Sequence, residues 1–350
     1  MKKDILIVTG SLRRGGAERV ISILSNELVK RGWTVHICTM LFSAIGYNLD
    51  PRIDIIDLSR ENKNQNIDTP RMIKSLRDTI KNLKPDAVVS FMLTINIVTW
   101  MATRGLRVRF IPSERNDPST GRGKLKHWLS CKAYASSFKT VFQTERARSF
   151  YSKKIQQNGV VIPNPVNVDQ ERNSNPKHKI VSVGRLEIQK NRRLLIDAFS
   201  DVYKKHPEYT LDIYGEGSQE EELKQLIVEL GLTSAVILHG NVNDVHRQIA
   251  DAEMFVLSSD YEGLSNALLE AMMMGLPCIT TDCAGAAEAV EDGVDGIIIP
   301  IRDRKKMAEA MEELISDASL RNQFSKKAVE HSKRFKTDRV VDKWEELLLQ

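Results

Sequence analysis

Short apolar runs alternate with amphipathic helical stretches along almost the whole of this 350-residue chain. In the first half the apolar runs predict strands near 4–9, 34–39, 53–57, 86–91, 107–112, 139–143 and 159–162. In the second half they predict strands near 178–183, 209–213, 235–238, 254–257, 277–280 and 297–299. Strands that alternate with helices are typical of parallel sheets covered by helices on both faces. The sequence therefore predicts an α/β protein.

The chain length and one polar segment indicate two domains. A globular chain of 350 residues favours about two folding units. The segment from Asn164 to Lys177 is rich in asparagine and proline, which is typical of a linker. We therefore predict one doubly wound parallel sheet in residues 1–165 and another in residues 166–334. Helices are predicted near 16–31, 69–83, 95–103, 123–136, 145–154, 191–205, 218–231, 244–250, 265–274, 285–291, 303–316, 318–333 and 338–348.

Two glutamates eight residues apart, Glu262 and Glu270, flank a glycine and a predicted helix start. Ser265 and Asn266 are residue types that cap helices, so Glu262 would lie in the loop and Glu270 about one turn inside the helix. Carboxylates accept hydrogen bonds from hydroxyls, and a helix N-terminus attracts phosphate. The pair therefore suits a sugar attached to a diphosphate. Two exposed glutamates beside a surface helix are an equally good interpretation of the pair alone.

Two cations follow the predicted strand near 178–183. Gly184 and Arg185 come directly after it, and Lys190 precedes the next helix, so both cations lie in a strand-to-helix loop. Such loops bind ligands in α/β proteins. Arginine and lysine there can neutralise a diphosphate, including the charge that develops as it leaves. A solvated loop in a basic protein is the simpler alternative.

A third loop of the same kind contains Gly215-Glu216-Gly217, between a predicted strand and a predicted helix. A lone Gly-x-Gly is weak evidence, because it often marks only a tight turn. The third glycine of the dinucleotide fingerprint is missing. A ligand site at this loop is better supported because the loop belongs to the same predicted sheet edge as Arg185 and Lys190.

Taken in order, these motifs resemble retaining glycosyltransferases of the GT-B type, family 4. The resemblance covers nearly the whole chain, and its specific part lies in the second half. The matching segments are Gly15-Gly16-Ala17-Glu18, Ile162-Pro163-Asn164-Pro165-Val166, Gly184-Arg185 with Lys190, Gly215-Glu216-Gly217, His239-Gly240, the paired glutamates, and Gly285-Ala286-Ala287-Glu288 with Glu291-Asp292-Gly293.

The resemblance implies two Rossmann-like domains that face a cleft. Residues 1–165 would bind the acceptor, with a helix over 335–350 packing back on them, and residues 166–334 would bind the nucleotide sugar. Arg185 and Lys190 would hold the diphosphate, Glu262 would contact the donor sugar, and Glu270 would bind the ribose. The expected donor-binding residues are Gly184, Gly215, Gly217, Gly240, Asn241, Val242, Gly263, Leu264, Ser265 and Glu270.

One position on the acceptor side departs from the family pattern. Many relatives end the fifth strand of the first domain with a Glu-His pair, whereas Glu114 is followed here by Arg115. Arginine cannot act as a base, so Arg115 is expected to bind an anionic acceptor or the donor phosphate instead. The residues expected on the acceptor side or along the cleft are Gly15, Gly16, Asn96, Glu114, Arg115 and Asn164.

The charge is distributed unevenly between the two halves. Residues 1–170 contain 28 Lys and Arg against 14 Asp and Glu, a balance of +14, so the remainder carries −9 because the whole chain is +5. A basic half favours an anionic partner. Nucleic acid is not expected, because no recognition motif is visible. An anionic membrane or a lipid diphosphate fits better, and the expected contacts are Arg122, Lys124, Lys126, Trp128 and Lys132, with a solvated helix as the alternative.

No metal or cofactor is expected besides the nucleotide-sugar co-substrate. No two aspartates are separated by one residue, and the seven histidines form no ligand cluster. The four cysteines lack metal-ligand spacing and fit reduced thiols. No run approaches the ~18 apolar residues of a membrane span, and no signal peptide is visible. The sequence thus predicts a cytoplasmic enzyme at the inner face of the cytoplasmic membrane.

We therefore predict a metal-independent retaining glycosyltransferase whose acceptor is a lipid-diphosphate-linked oligosaccharide of surface polysaccharide biosynthesis. UDP is the favoured nucleotide by family frequency, and GDP is the alternative. The acceptor hydroxyl would attack on the face that the diphosphate leaves, although a covalent intermediate on Glu262 is a second route. A sugar-nucleotide epimerase of the same fold and a non-catalytic sugar-nucleotide or membrane-binding protein remain the alternative functions.

Overall fold

The computed structural model describes residues 3–41, 44–61, 69–121 and 123–350. The chain divides into two compact units. Unit 1 comprises Met1–Pro165 together with Thr337–Gln350, and unit 2 comprises Val166–Lys336. Each unit contains one parallel sheet with its own buried apolar core, so the predicted α/β class with two parallel-sheet domains is confirmed.

Unit 1 is built on a 7-stranded sheet in the order β3-β2-β1-β4-β5-β6-β7. Every pairing is parallel, and Ile5 in the central strand pairs with Val35 on one side and Ala87 on the other. Four consecutive residues of that strand, from Ile5 to Val8, are fully buried, as expected for a strand covered on both faces. The strands are β1 Asp4–Thr9, β2 Thr34–Thr39, β3 Asp54–Asp57, β4 Ala87–Phe91, β5 Arg109–Glu114, β6 Thr140–Phe142 and β7 Gly159–Val161.

The helices of unit 1 follow the predicted pattern with one difference. The single helix predicted over 145–154 is wrong, because two short helices occupy that stretch. Tyr151 turns into the core between them, and Ser152 adopts an extended conformation that starts the second helix. The helices are α1 Gly16–Lys30, α2 Thr69–Leu83, α3 Leu93–Thr103, α4 Lys124–Ala135, α5 Glu145–Ser149 and α6 Lys153–Asn158.

Unit 2 is built on a 6-stranded parallel sheet in the order β10-β9-β8-β11-β12-β13. The strands are β8 Lys179–Val183, β9 Thr210–Tyr214, β10 Val236–Leu238, β11 Met254–Leu257, β12 Cys278–Thr281 and β13 Gly296–Ile299. The helices are α7 Arg192–Tyr203, α8 Glu220–Glu229, α9 Val245–Ile249, α10 Asn266–Met273, α11 Ala286–Ala289, α12 Arg304–Ser316 and α13 Ala318–Ser332.

The last helix of the chain, α14 (Thr337–Leu349), belongs to unit 1 and packs on α1. Its apolar face is buried in the core of unit 1, with Trp344 and Leu348 fully buried. Burying one such side chain contributes roughly 1.5–3 kcal/mol. Arg31 at the end of α1 reinforces the contact through ion pairs of 2.6 Å to Asp342 and 3.0 Å to Glu345.

The strand order places the predicted donor loops next to each other. In unit 2 the chain moves outward from β8 to β9 and β10, and then returns to place β11 on the other side of β8. The loops that follow β8 and β11 therefore leave the same sheet edge in opposite directions, which is where open α/β sheets bind ligands. Arg185 and Lys190 lie in the first of these loops, and Glu262 lies in the second.

Within the described ranges, none of the helices is long and apolar enough to cross a membrane.

Candidate active site

The loop after β8 brings Lys190 to the carboxyl edge of the sheet. A short 3-10 turn, Ile188–Lys190, is followed by Asn191, which has a left-handed conformation with φ 43°. The Asn191 side chain accepts a hydrogen bond of 3.2 Å from the backbone N–H of Leu194 and so caps α7. Asparagine tolerates this conformation better than most residues. The loop therefore ends in a fixed helix start that positions the residue before it.

Lys190 and Glu262 form an ion pair between the two loops. The same carboxylate oxygen of Glu262 accepts a hydrogen bond of 2.8 Å from the Ser259 hydroxyl. Glu262 is only 8% exposed, so little water screens the pair. Two predicted catalytic residues that are 72 positions apart in the sequence thus lie in direct contact.

Arg185, the third predicted catalytic residue, is placed differently. Its side chain is exposed, and it neighbours Glu187, whose pKa is lowered mainly by hydrogen bonds from Ser218 and slightly by the charge of Arg185. It leaves the same loop as Lys190 but does not join the pair with Glu262. A mobile guanidinium at the edge of the site can close on an anion that arrives from solvent.

The helix that follows Glu262 presents its N-terminus to the site. Ser265 occupies the N-cap position of α10, and its side chain makes no capping hydrogen bond. The backbone N–H groups of a helix start favour an anion. Leu264 and Ser265 are largely buried, at 5% and 7% exposure, so only the backbone of this segment borders the edge.

Glu270 lies one turn inside α10 and has a partner that the sequence did not reveal. It is 4% exposed, and His246 of α9 lies 2.9 Å from its carboxylate. A single histidine in a helix with no neighbouring ligand residue gives no signal of such a contact. The histidine fixes the carboxylate in one orientation, which is what recognition of paired hydroxyls requires.

Glycines let the loops of unit 2 approach each other more closely than side chains would allow. A Cβ at Gly215 would lie 2.2 Å from the carbonyl oxygen of Gly184, and one at Gly217 would lie 2.3 Å from that of Leu186. Gly215 also forms an isolated bridge with Gly240. The loops that contain the predicted donor-binding glycines are therefore packed backbone against backbone.

The segment 240–242 extends this arrangement. Asn241 donates a hydrogen bond of 2.8 Å to Glu216, which lies between the two glycines of the neighbouring loop. Val242 packs against an apolar cluster of unit 2. On the other side of the site, a Cβ at Gly285 would lie 2.0 Å from the carbonyl oxygen of Gly263. The backbone around Glu262 is thus supported by glycine at close range.

Arg192 was not predicted from the sequence, yet it lies beside the ion pair. It is fully buried, and its Nη1 donates to the Ser182 hydroxyl, while Nε and Nη2 have no hydrogen-bond partner among the described residues. Burial lowers its pKa to about 10, against an opposing effect of the Glu262 charge. Arg192 is the first residue of α7 and belongs to none of the motifs identified in the sequence.

In unit 1, Arg115 is buried rather than exposed to a ligand. Its Nη1 donates 2.9 Å to the Asn164 side chain, which also accepts a hydrogen bond of 2.7 Å from Gln143. The guanidinium lies over the rings of Phe91 and Trp344, at 5.0 and 5.6 Å from their centroids. Burial lowers the pKa of Arg115 to about 9 despite the nearby Glu114 charge. Its Nε and Nη2 lack hydrogen-bond partners within the described part of the chain.

Asn96 and Glu114 belong to a neighbouring buried network. Asn96 accepts a hydrogen bond of 2.7 Å from Ser90 and donates to Tyr134 at 3.1 Å. Tyr134 and Tyr151 both donate to one oxygen of Glu114, at 2.9 and 3.1 Å. The carboxylate raises the pKa of Tyr134 further, beyond the effect of burial. These two predicted acceptor-side residues thus have their side chains engaged inside the unit.

Gly15 and Gly16 start α1 just after β1. The Tyr47 hydroxyl contacts Gly15 twice, accepting from its N–H at 3.1 Å and donating to its carbonyl at 3.0 Å. A Cβ at Gly15 would lie 2.3 Å from a carboxylate oxygen of Glu18, which is the end of a flexible side chain. The loop is therefore held by the Tyr47 hydroxyl and also by close packing against Gly46, where a Cβ would lie 2.6 Å from the backbone nitrogen of Arg14.

The helix α4 presents an exposed face that is both apolar and basic. Leu125 is 69% exposed and Trp128 is 56% exposed, and the Lys132 ammonium lies 5.6 Å from the Trp128 ring centroid. Lys124 and Lys126 are also exposed. Arg122, which was predicted to join them, lies outside the described residues. We call the exposed set Lys124, Leu125, Lys126, Trp128 and Lys132 the α4 face.

Two further features lie apart from these groups. An open pocket of about 490 Å³ lies at the amino end of β5, between Trp100, Arg104, Arg109 and Phe138, and contains none of the predicted site residues. No cluster of three or more potential metal ligands occurs in the described ranges.

Two family models match the chain. Residues 14–170 match Glycosyltransferase Family 4, and residues 165–331 match Glycosyl transferases group 1. An uncharacterized glycosyltransferase of Haemophilus influenzae is 26% identical and aligns over 99% of this chain and 100% of its own length.

One curated relative is named for its acceptor. It is the Campylobacter jejuni α-1,4-N-acetyl-D-galactosaminyltransferase that acts on GalNAc-α-(1→4)-GalNAc-α-(1→3)-diNAcBac-PP-undecaprenol. It is 25% identical over 100% of this chain and 99% of its own. The crystal structure of Anabaena HepE in complex with UDP matches with a TM-score of 0.83 at 17% identity, covering 99% of both chains, which shows a shared fold.

Proposed function

This chain belongs to the GT-B glycosyltransferases of family 4. We propose that it is a retaining, metal-independent enzyme that transfers a sugar from a nucleotide diphosphate sugar to a lipid-diphosphate-linked glycan. The observation that carries the donor half of this proposal is the contact between Lys190 and Glu262 at the switch point of the unit 2 sheet. A cation for a phosphate and a carboxylate for a sugar lie side by side there.

The diphosphate would bind at the loop after β8. Lys190 is part-buried and paired with Glu262, whereas Arg185 is exposed in the same loop, so one loop provides two cations for the diphosphate. The N–H groups at the start of α10 add donors without a charged side chain. Preorganised donors of this kind stabilise the charge on a departing diphosphate. They provide what a divalent cation provides in other sugar transferases.

The nucleoside would lie beside the second glutamate. Glu270, held by His246, suits the two hydroxyls of a ribose, and the segment 240–242 would border the base. UDP is the nucleotide we favour, because the similar fold of Anabaena HepE was crystallised with UDP. GDP remains the alternative to be tested.

The transfer step forms a bond between an acceptor hydroxyl oxygen and the anomeric carbon of the sugar, and it breaks the bond from that carbon to the diphosphate oxygen. The acceptor attacks from the face that the diphosphate leaves, so the anomeric configuration is retained. The hydroxyl proton passes to the departing phosphate oxygen. Glu262 stabilises the positive charge that develops on the sugar ring, because an ionised carboxylate lies beside it.

The acceptor would bind to unit 1 and approach from an anionic membrane. The α4 face combines three lysines with an exposed tryptophan and leucine, a composition that suits a negatively charged lipid surface. Each lysine near such a surface contributes about 1 kcal/mol. The Campylobacter jejuni relative acts on an undecaprenyl-diphosphate glycan, which is the acceptor class we propose here.

A thermal-shift screen of UDP- and GDP-sugars tests the donor half. A ligand at 100 times its Kd stabilises the protein by ~2.7 kcal/mol, so the correct donor should raise the melting temperature clearly. Lys190→Ala should lose this stabilisation. The matched control is Lys224→Ala, which changes an exposed lysine on α8 and should keep it. No stabilisation of the wild-type protein by any nucleotide sugar would contradict the proposal.

A further inference from the structure

The donor site of unit 2 contains more positive than negative charge. Lys190 is paired with Glu262, and Arg192 lies next to both. The point where a Cβ of Gly184 would lie is 3.0 Å from Nη2 of Arg192 and 3.7 Å from Nζ of Lys190. Two cations therefore lie close to one point of the loop, and one of them is paired with the Glu262 carboxylate.

Arg192 uses only part of its hydrogen-bonding capacity. One nitrogen donates to Ser182, whereas Nε and Nη2 have no partner among the described residues although the side chain is fully buried. A buried guanidinium with unused donors is energetically unfavourable. Such donors are expected to be used in another state of the site.

The proposed function requires that other state. Lys190 is to hold the donor diphosphate, but its ammonium group is already bonded to Glu262. If Lys190 turns to a phosphate, Glu262 keeps the Ser259 hydroxyl as a described partner, at 2.8 Å, and loses its counter-charge. A carboxylate that is 8% exposed would then lie without a counter-charge, which is energetically unfavourable.

We propose that Arg192 takes over the Glu262 carboxylate when Lys190 turns to the donor diphosphate, so that donor binding exchanges one ion pair for another. This inference rests on the proposed function of the site. Arg192 is a positioning residue: it is fully buried, and it would act through the Glu262 carboxylate by giving it a new counter-charge. The unused donors of Arg192 and the shared location of the two cations are both explained by this exchange.

A double-mutant cycle tests the exchange directly. UDP and GDP binding to the full chain is measured by calorimetry for the wild type, Arg192→Met, Glu262→Gln and the double variant. Arg192→Met should weaken nucleotide binding about tenfold or more, because Lys190 then leaves Glu262 unpaired. In the Glu262→Gln background no carboxylate is left behind, so the same Arg192 change should have little effect. Arg192→Lys should restore part of the affinity.

The conservative variant gives a second readout that a merely structural role would not move. Arg192→Lys keeps the positive charge and should retain more UDP affinity than Arg192→Met, whereas a packing role would favour the apolar methionine. Ser182→Ala is the matched control, because it removes the other partner of Arg192 and leaves both charges in place. Its effect on UDP affinity should add to that of Glu262→Gln.

The possible failures are distinguishable. Additive losses for Arg192→Met and Glu262→Gln would overturn the exchange and leave Arg192 as a packing residue. Binding of neither UDP nor GDP by the wild type would overturn the proposed donor site itself, and this inference with it. If Arg192→Met does not fold, the same cycle with Arg192→Gln, which is polar but uncharged, decides between these outcomes.

Discussion

The two units contain the same kind of sheet edge, but they equip it differently. In unit 2 the loops at the edge are packed backbone to backbone through Gly215, Gly217 and Gly285, and an ion pair lies between them. In unit 1 two polar residues at the corresponding edge, Asn96 and Glu114, are both hydrogen-bonded to the Tyr134 hydroxyl inside the unit. In unit 2 two opposite charges therefore meet between loops at the sheet edge, whereas in unit 1 Asn96 and Glu114 are engaged by neighbouring side chains inside the unit.

The two buried arginines sharpen this difference. Arg115 and Arg192 each donate from one nitrogen to a neutral side chain, and burial lowers the pKa of the first to about 9 and of the second to about 10. Arg192 lies next to a charged pair, while Arg115 lies between Phe91 and Trp344. The buried arginine of unit 2 therefore lies next to the Lys190–Glu262 ion pair, whereas that of unit 1 lies against Trp344 of the last helix.

The largest expected effect lies in unit 2. Lys190→Ala and Arg185→Ala should each reduce turnover by at least ~100-fold, the scale of losing one preorganised charge donor. Steady-state turnover at saturating donor measures this, with Lys224→Ala as the control on the same unit. Wild-type turnover in both variants would contradict the assignment of the diphosphate to this loop.

Substitutions of the two glutamates should affect different ligands, the nucleotide for Glu270 and the sugar for Glu262. Glu270→Gln should weaken the binding of both UDP and UDP-sugar about tenfold or more, because a hydrogen bond to a charged group is lost. Glu262→Gln should leave UDP affinity nearly unchanged and lower turnover, because this residue serves the sugar. Calorimetry with UDP, together with turnover, distinguishes them, and the opposite pattern would reverse the two roles.

A substitution of Arg115 in unit 1 should change the KM for the acceptor and not the KM for the donor. Arg115→Met should raise the KM for a lipid-diphosphate acceptor about tenfold, since the loss of a hydrogen-bonded charge in a buried network is of this size. The KM for the donor should not change, because the donor residues lie in unit 2. Arg107→Met, an exposed arginine in the same unit, is the control. A shift in donor KM with constant acceptor KM would contradict the assignment of the acceptor to unit 1.

The smallest effect is expected at the α4 face. Replacing Lys124, Lys126 and Lys132 with Ser should weaken binding to anionic vesicles severalfold and raise the acceptor KM, with UDP-sugar affinity unchanged. The binding of the wild type should decrease as salt increases, because screened charges attract less. A triple variant of Lys204, Lys305 and Lys326, which are exposed on unit 2, is the charge-matched control. Equal flotation of both triple variants would make the α4 face an ordinary solvated surface.

Much of the fold could be predicted because strand-helix alternation is a local property. The bounds of β1, β2 and α2 agree with the predicted ranges, and α14 is buried along the face that its amphipathic pattern indicates. The break between α5 and α6 was missed because it depends on Tyr151 reaching Glu114 across the core. A contact between residues so far apart in sequence leaves no mark on the local pattern.

The site shows the same limit. The motif residues Lys190 and Glu262 were predicted, and their contact is explained by two loops that leave one switch point. His246 and Arg192 were missed, because each is a single polar residue in a helical stretch and only the packing of the sheet places it beside a glutamate. The fifth strand was predicted near 107–112 and extends over Arg109–Glu114, so Arg115 directly follows it, but the sequence could not indicate that its guanidinium is buried.

The most direct test is proton NMR of the reaction in excess EDTA, with UDP- and GDP-sugars as donors and a polyprenyl-diphosphate glycan as acceptor. The account predicts a new glycosidic signal whose anomeric configuration equals that of the donor, with release of the nucleoside diphosphate and no requirement for Mg²⁺ or Mn²⁺. Inversion of configuration, an epimerised donor without transfer, or activity that is lost in EDTA and restored by a divalent cation would contradict it.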